Sequence, residues 1–104
     1  MGRIFAVHPV KDDLSPALRH GGPILYACDR YIYSDEIINQ AIPHAVRNSL
    51  AAVAQNFDVD SDYLLIAGDH LQLMVLCAML TSRHGTFRVL RFDRQAAGYV
   101  AVWI

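Results

Sequence analysis

Histidine, aspartate and glycine come together once in this sequence in a way that could do chemistry. Gly68, Asp69 and His70 close the apolar run Tyr63–Ala67 and open a second apolar run that reaches Gly85. A strand that ends in Gly-Asp and hands over to a helix places a carboxylate and an imidazole where open α/β sheets bind their ligands. His8 follows a second strand pattern, Arg3–Val7. If these two strands run parallel, His8 and Asp69 leave the sheet at the same edge, and Asp12, Asp13 and His70 can join them from adjacent loops. Such a set could bind a ribose hydroxyl, position a water or hold a metal. Phosphate suits it less well, because Asp69 would repel the anion and occupy the amides meant for it. Neither GxGxxG nor GxxxxGK[ST] occurs. The candidate ligand-binding residues are therefore His8, Gly68, Asp69 and His70, with no catalytic residue assigned.

The same residues also have a purely structural reading. Asp69 suits a helix N-cap, and Gln72 stands three residues on, where it could return a bond to the Asp69 amide in the manner of a capping box. Arg83 and His84 suit the negative end of that helix, and Gly85 its left-handed stop.

Other chemistry is thinly represented. The five histidines show no HxH or HxxxH spacing, no Gly-x-Ser-x-Gly elbow is present, and no cofactor or metal is expected. Cys28 and Cys77 lie far apart in apolar contexts and are expected to be buried thiols rather than a disulfide or zinc pair. Asp58, Asp60 and Asp62 form a DxDxD run, but Tyr63 and Asp69 stand where a calcium loop needs glycine and glutamate. A solvated turn is the expectation there. Arg83, Arg88, Arg91 and Arg94 cluster near the C-terminus, yet strand alternation places Arg88 and Arg91 on opposite faces, which argues for solvated edge charges rather than a basic stripe.

The elements that must position these groups follow from periodicity. Lys11–Pro23, broken by Pro16, Gly21 and Gly22, is the longest expected loop, with room for one helical turn at Pro16–Arg19. Ile24–Ala27 and Tyr31–Tyr33 are strand-forming and make either a hairpin or one bent strand. After a cap at Ser34 or Asp35, Ile38, Ile42, Val46, Leu50, Val53 and Phe57 recur at helical steps, and the stripe predicts a helix that kinks at Pro43 rather than one that starts there. Strand, helix and strand over 63–92 form one right-handed βαβ unit. Thr86–Phe92 and Tyr99–Ile104, joined by a turn at Asp93–Gly98, form a C-terminal antiparallel hairpin. The expected fold is a single small α/β domain over 1–104, with a mixed sheet and two main helices.

The chain has 104 residues, of which 54% are hydrophobic and 18% charged. A domain this small has too much surface to bury that surplus alone, so a homo-oligomer with an apolar interface is expected. No apolar run is long enough for a membrane span, and the N-terminal segment is broken at His8-Pro9 too early for a signal peptide, which together suggest a cytoplasmic protein. A formal charge of −1 argues against nucleic-acid binding through a broad basic surface.

The segment DYLLIAGD, the helix after it and RVLRFDRQAAGYVAVWI resemble the ending of small uncharacterised proteins of phages and bacterial mobile elements. The resemblance covers Asp62 to Ile104: an apolar strand closed by GD, then a VL-x-x-DRQ hairpin that returns through a tyrosine. It implies a compact accessory protein acting in the host cytoplasm, with no activity attached. It also singles out Asp93, Arg94 and Gln95, either as a fixed turn or as a recognition tip for a host protein. The expected function is an accessory or regulatory binding protein that self-associates. The alternative is a small nucleotide- or metabolite-binding protein, or an enzyme, using the crevice around His8, Asp69 and His70.

Overall fold

The computed structural model describes residues 2–30 and 42–104. Five strands form one sheet, β1 (Ile4–Ala6), β2 (Ile24–Tyr26), β3 (Tyr63–Leu65), β4 (Arg88–Asp93) and β5 (Gly98–Trp103), in the order β2-β1-β3-β4-β5. The first four are parallel and β5 returns antiparallel to β4. Two α-helices, α1 (His44–Asn56) and α2 (His70–His84), and a short 3-10 helix (Ser15–His20) complete the described residues. This is the mixed α/β domain expected, with β3, α2 and β4 as its βαβ unit and β4–β5 as its hairpin.

Strand alternation divides the core in two. Phe5, Val7, Leu64 and Val89 point to the face covered by α1 and α2, where Leu50, Leu76 and Leu80 meet them. Ile4, Ala6, Leu65, Leu90 and Tyr99 point to the opposite face, which is closed by Leu14 and by Ala17 of the 3-10 helix. The sheet is thus covered on both sides, thickly by the helix pair and thinly by the Lys11–Pro23 segment. That is why the central strands are apolar without alternation.

Several expectations need correction. α1 does not kink at Pro43: Ile42 and Pro43 lie outside the helix, and Pro43 is its N-cap, with ψ 145° and its carbonyl accepting from Arg47 N at 3.1 Å. A residue before proline avoids helical ψ, and the ring would displace the carbonyl four residues back, so the helix takes its first acceptor from Pro43 and begins afterwards. The preceding expectations at Tyr31–Tyr33, Ser34, Asp35 and Ile38 fall outside the described residues. β2 has β1 as its described partner, in parallel register.

The DxDxD turn is not fully solvated. Asp62 is only 1% exposed, and its carboxylate accepts from Arg3 N at 2.9 Å, Arg3 Nη2 at 2.8 Å and Asp58 N at 2.8 Å. It ties the start of β1 to the entry of β3. Asp58 in turn accepts from Asp60 N and Ser61 Oγ, so the run closes on itself. Nor is Arg88 an edge charge, because β4 lies inside the sheet. Its guanidinium stacks 4.4 Å from the Tyr63 ring centroid and 5.3 Å from that of Trp103, and donates to Asp60 O at 2.8 Å. The face assignment itself holds: Arg88 shares its side with Leu90, and Arg91 lies on the other.

Candidate functional site

At the carboxyl edge of the parallel strands, β1 ends two residues before His8 and β3 four residues before Asp69. The two strands are parallel neighbours, so His8 and Asp69 are brought together. The Asp69 amide donates to His8 Nε2 at 2.9 Å, while His8 Nδ1 lies 2.9 Å from Pro9 O. An Nε2 that accepts leaves the proton on Nδ1, which donates to that carbonyl. Between the strands, Gly68 has φ +97°, and a Cβ there would stand 2.8 Å from Val7 Cγ2 and 3.0 Å from His8 Nε2. Glycine is what allows the imidazole to reach the Asp69 amide.

The Asp69 carboxylate accepts from Gln72 N at 2.9 Å, the expected N-cap. The reciprocal half of the capping box does not form. Asp69 N is taken by His8, and the Gln72 side chain is buried with its Oε1 unpartnered. His70 is exposed on the first turn of α2 and does not join the group. The polar atoms of His8 and Asp69 thus fasten β1 to the β3–α2 junction. Sequence reasoning located the pair correctly and could not see that each already holds the other.

Beside this junction lies a cleft of about 440 Å³, lined by Asp12, Asp13, Ile66, Ala67, Gly68, Phe92 and Tyr99. Its floor is the irregular extension of β3. Its walls are the loop after β1, the end of β4 and the start of β5. Asp12 and Asp13 arrive as topology predicted. Phe92 and Tyr99 were not anticipated, because only the antiparallel register Phe92↔Tyr99 brings both to this edge. Their rings pack edge to face at 5.6 Å. Burial, followed by the carboxylates of Asp12 and Asp13, pushes the Tyr99 phenol up from its ordinary value. The Asp13 carboxyl is held below its ordinary range by the Ser15 amide and hydroxyl.

The hairpin tip has a defined internal structure. Asp93 Oδ1 accepts from Gln95 N at 2.9 Å and Ala96 N at 3.3 Å, fixing the turn from within, while Arg94 and Gln95 are exposed. Ala97 closes the turn at φ 53°, a left-handed conformation that disfavours a side chain. We expect Ala97→Gly to stabilise the fold by about 0.5–1 kcal/mol, since the native-state relief exceeds glycine's added unfolded entropy. A thermal melt should register a rise of a few degrees; a fall would show that the Ala97 methyl contributes packing.

Cys28 and Cys77 are unpaired and half-buried rather than fully buried. Burial raises both thiols above their ordinary value; at Cys28 a Ser49 bond partly opposes this and Asp29 adds to it. Raised thiols make poor nucleophiles at neutral pH. Among the described residues no group of three or more His, Cys, Asp or Glu side chains could hold a metal ion, and no helix is long and apolar enough to cross a membrane.

The family model described as Phage Pam3 gp32-like protein matches residues 6–104. The chain belongs to that family. The Phage Pam3 gp32-like match takes in nearly the whole domain, including most of the first 61 residues, which carried no resemblance on their own. It supports a small phage protein and says nothing of the DRQ hairpin in particular. No curated protein and no solved structure gives a significant match.

Proposed function

We propose that this Phage Pam3 gp32-like chain is an accessory binding protein that acts inside the host cell as a homodimer, joined through the open end of β5. The observation that carries this reading is the state of that edge. Phe87 and Ile104 exchange both backbone hydrogen bonds, at 3.2 and 2.9 Å. By antiparallel alternation, Tyr99, Ala101 and Trp103 then direct their amides and carbonyls outward. The first of these carbonyls is covered, since Tyr99 O accepts from Arg19 Nη2 at 3.1 Å and His20 Nε2 at 2.8 Å. Beyond it the strand has no such cover among the described residues. It contains neither charge nor proline, and it ends in Trp103 and Ile104, each 54% exposed.

Soluble proteins guard such edges, and an unguarded one invites a second strand. Antiparallel pairing of two β5 ends around a two-fold axis would satisfy the outward groups of Ala101 and Trp103 and cover the apolar side chains. It would also supply the interface that the surplus of hydrophobic residues calls for. Proline is tolerated at an edge position whose N–H points outward, so Ala101→Pro removes a pairing donor with little harm to the monomer. The variant should weaken the dimer by at least about tenfold, since both protomers lose a backbone donor and the strand fit, read by sedimentation with a melt as control. An unchanged dimer would place the interface elsewhere.

A second reading, a small-ligand site at the strand carboxyl ends, is favoured by the cleft rather than by His8 and Asp69, because both His8 ring nitrogens and the Asp69 amide and Oδ2 are engaged.

A further inference from the structure

We propose that the cleft between Asp12, Asp13, Phe92 and Tyr99 binds an alkyl cation: a primary ammonium or guanidinium head carried on an apolar stem. Tyr99 is only 6% exposed and lines this cleft, and among the described residues its hydroxyl makes no hydrogen bond. The hydroxyl is not sealed from solvent, so the hydrogen bond it offers is open to a group that binds in the cleft. Two carboxylates stand at the same opening. Asp13 has one oxygen engaged with Ser15 N at 3.0 Å; Asp12 is exposed and makes no hydrogen bond or ion pair among the described residues. Among the described residues neither forms an ion pair, so the opening is negative although the chain as a whole is nearly neutral.

The walls decide which cation. Ile66 and Phe92 are large apolar side chains left 38% and 51% exposed at this edge. A hydrated metal ion gains nothing from them, and the cleft offers no third carboxylate, imidazole or thiolate to replace its water. A methylene stem covers them, and Phe92 presents an aromatic face to the charged head. The carboxylates supply charge-assisted acceptors for the head, and the Tyr99 hydroxyl supplies a neutral one.

Two sources offer this chemistry: a lysine or arginine side chain of a partner protein, and a free amine. The side-chain source rests on the reading of the chain as a binding protein; the free amine does not. The test is a titration of amide chemical shifts with four probes: Nα-acetyl-lysine methylamide, Nα-acetyl-arginine methylamide, 1,4-diaminobutane and the neutral Nα-acetyl-norleucine methylamide. Saturable shifts at Ala67, Gly68 and Tyr99 are expected with the cations and not with norleucine. Tighter binding of the blocked amino acids assigns the side-chain source, and tighter binding of the diamine assigns the free one.

The double variant Asp12→Asn/Asp13→Asn keeps an acceptor for Ser15 N and should bind at least about tenfold more weakly. Tyr99→Phe removes an unpartnered hydroxyl, so it should bind a few-fold more weakly while melting no lower than the wild type. Shifts of equal size with norleucine, undiminished affinity in the double variant, or no saturable shift at millimolar cation would overturn the proposal. Sedimentation of the same samples separates the two ideas: a dimer with a silent cleft removes the cation site alone, and a cation-binding monomer removes the dimer alone.

Discussion

Replacing Asp62 with alanine should lower stability by about 3 kcal/mol, enough to drop the midpoint of a thermal melt by roughly 15–20 °C. The carboxylate is buried, and its loss strips acceptors from the Arg3 and Asp58 amides together with the Arg3 side chain. The Arg3 side chain is 41% exposed and can turn to water, so the cost is dominated by the two amides rather than by a stranded charge. Asp62→Asn retains an acceptor and should cost about half as much.

The pH dependence separates these causes. Burial alone would raise the Asp62 carboxyl, but the Arg3 side chain and the Asp58 and Arg3 amides outweigh it and hold the group below its ordinary value. A carboxyl depressed in the folded state adds stability that is fully present above its unfolded pKa, about 3.9, and is lost as pH falls through the folded value. Wild-type protein should therefore lose stability on the acid side more steeply than Asp62→Asn. Parallel acid limbs for the two proteins would show that the carboxylate charge is not what joins β1 to the turn.

Gly68→Ala is expected to cost about 2–4 kcal/mol, from strained backbone at φ +97° and from overpacking. The new methyl would meet Val7 Cγ2 and His8 Nε2, and neither can yield cheaply. Val7 is fully buried, and the His8 ring is held from both nitrogens. The amide of Asp69 should then exchange with solvent much faster than in the wild type, because the imidazole that accepts from it has been pushed away. A variant with wild-type stability and a protected Asp69 amide would mean that the junction is more plastic than its contacts indicate.

The junction shows what the sequence made legible. Gly-Asp after an apolar run, Gln72 at the third helical position and Gly85 at the far end suffice to place α2, because capping is local chemistry. Parallel strands suffice to bring His8 to Asp69. What lay out of reach was occupancy: whether the Asp69 amide is taken by Gln72 or by His8 depends on the β1–β3 register, which no local pattern carries. Pro43 shows the opposite failure. The apolar stripe from Ile38 to Phe57 favours one long kinked helix, yet the geometry required by the proline and by the residue before it outweighs the stripe, and α1 starts at His44. Arg88 was misplaced because strand order, and hence which strand is an edge, was not yet known. Phe92 and Tyr99 entered the cleft for the same reason, through a pairing read only in three dimensions.

Self-association through β5 is the central claim, and sedimentation equilibrium of the wild-type chain, from low to high micromolar concentration without added ligand, tests it most directly. A reversible monomer–dimer equilibrium is expected, with the dimer at twice the chain mass dominating the upper range. A monomer at every concentration would contradict it, and would leave the open end of β5 without the partner proposed for it.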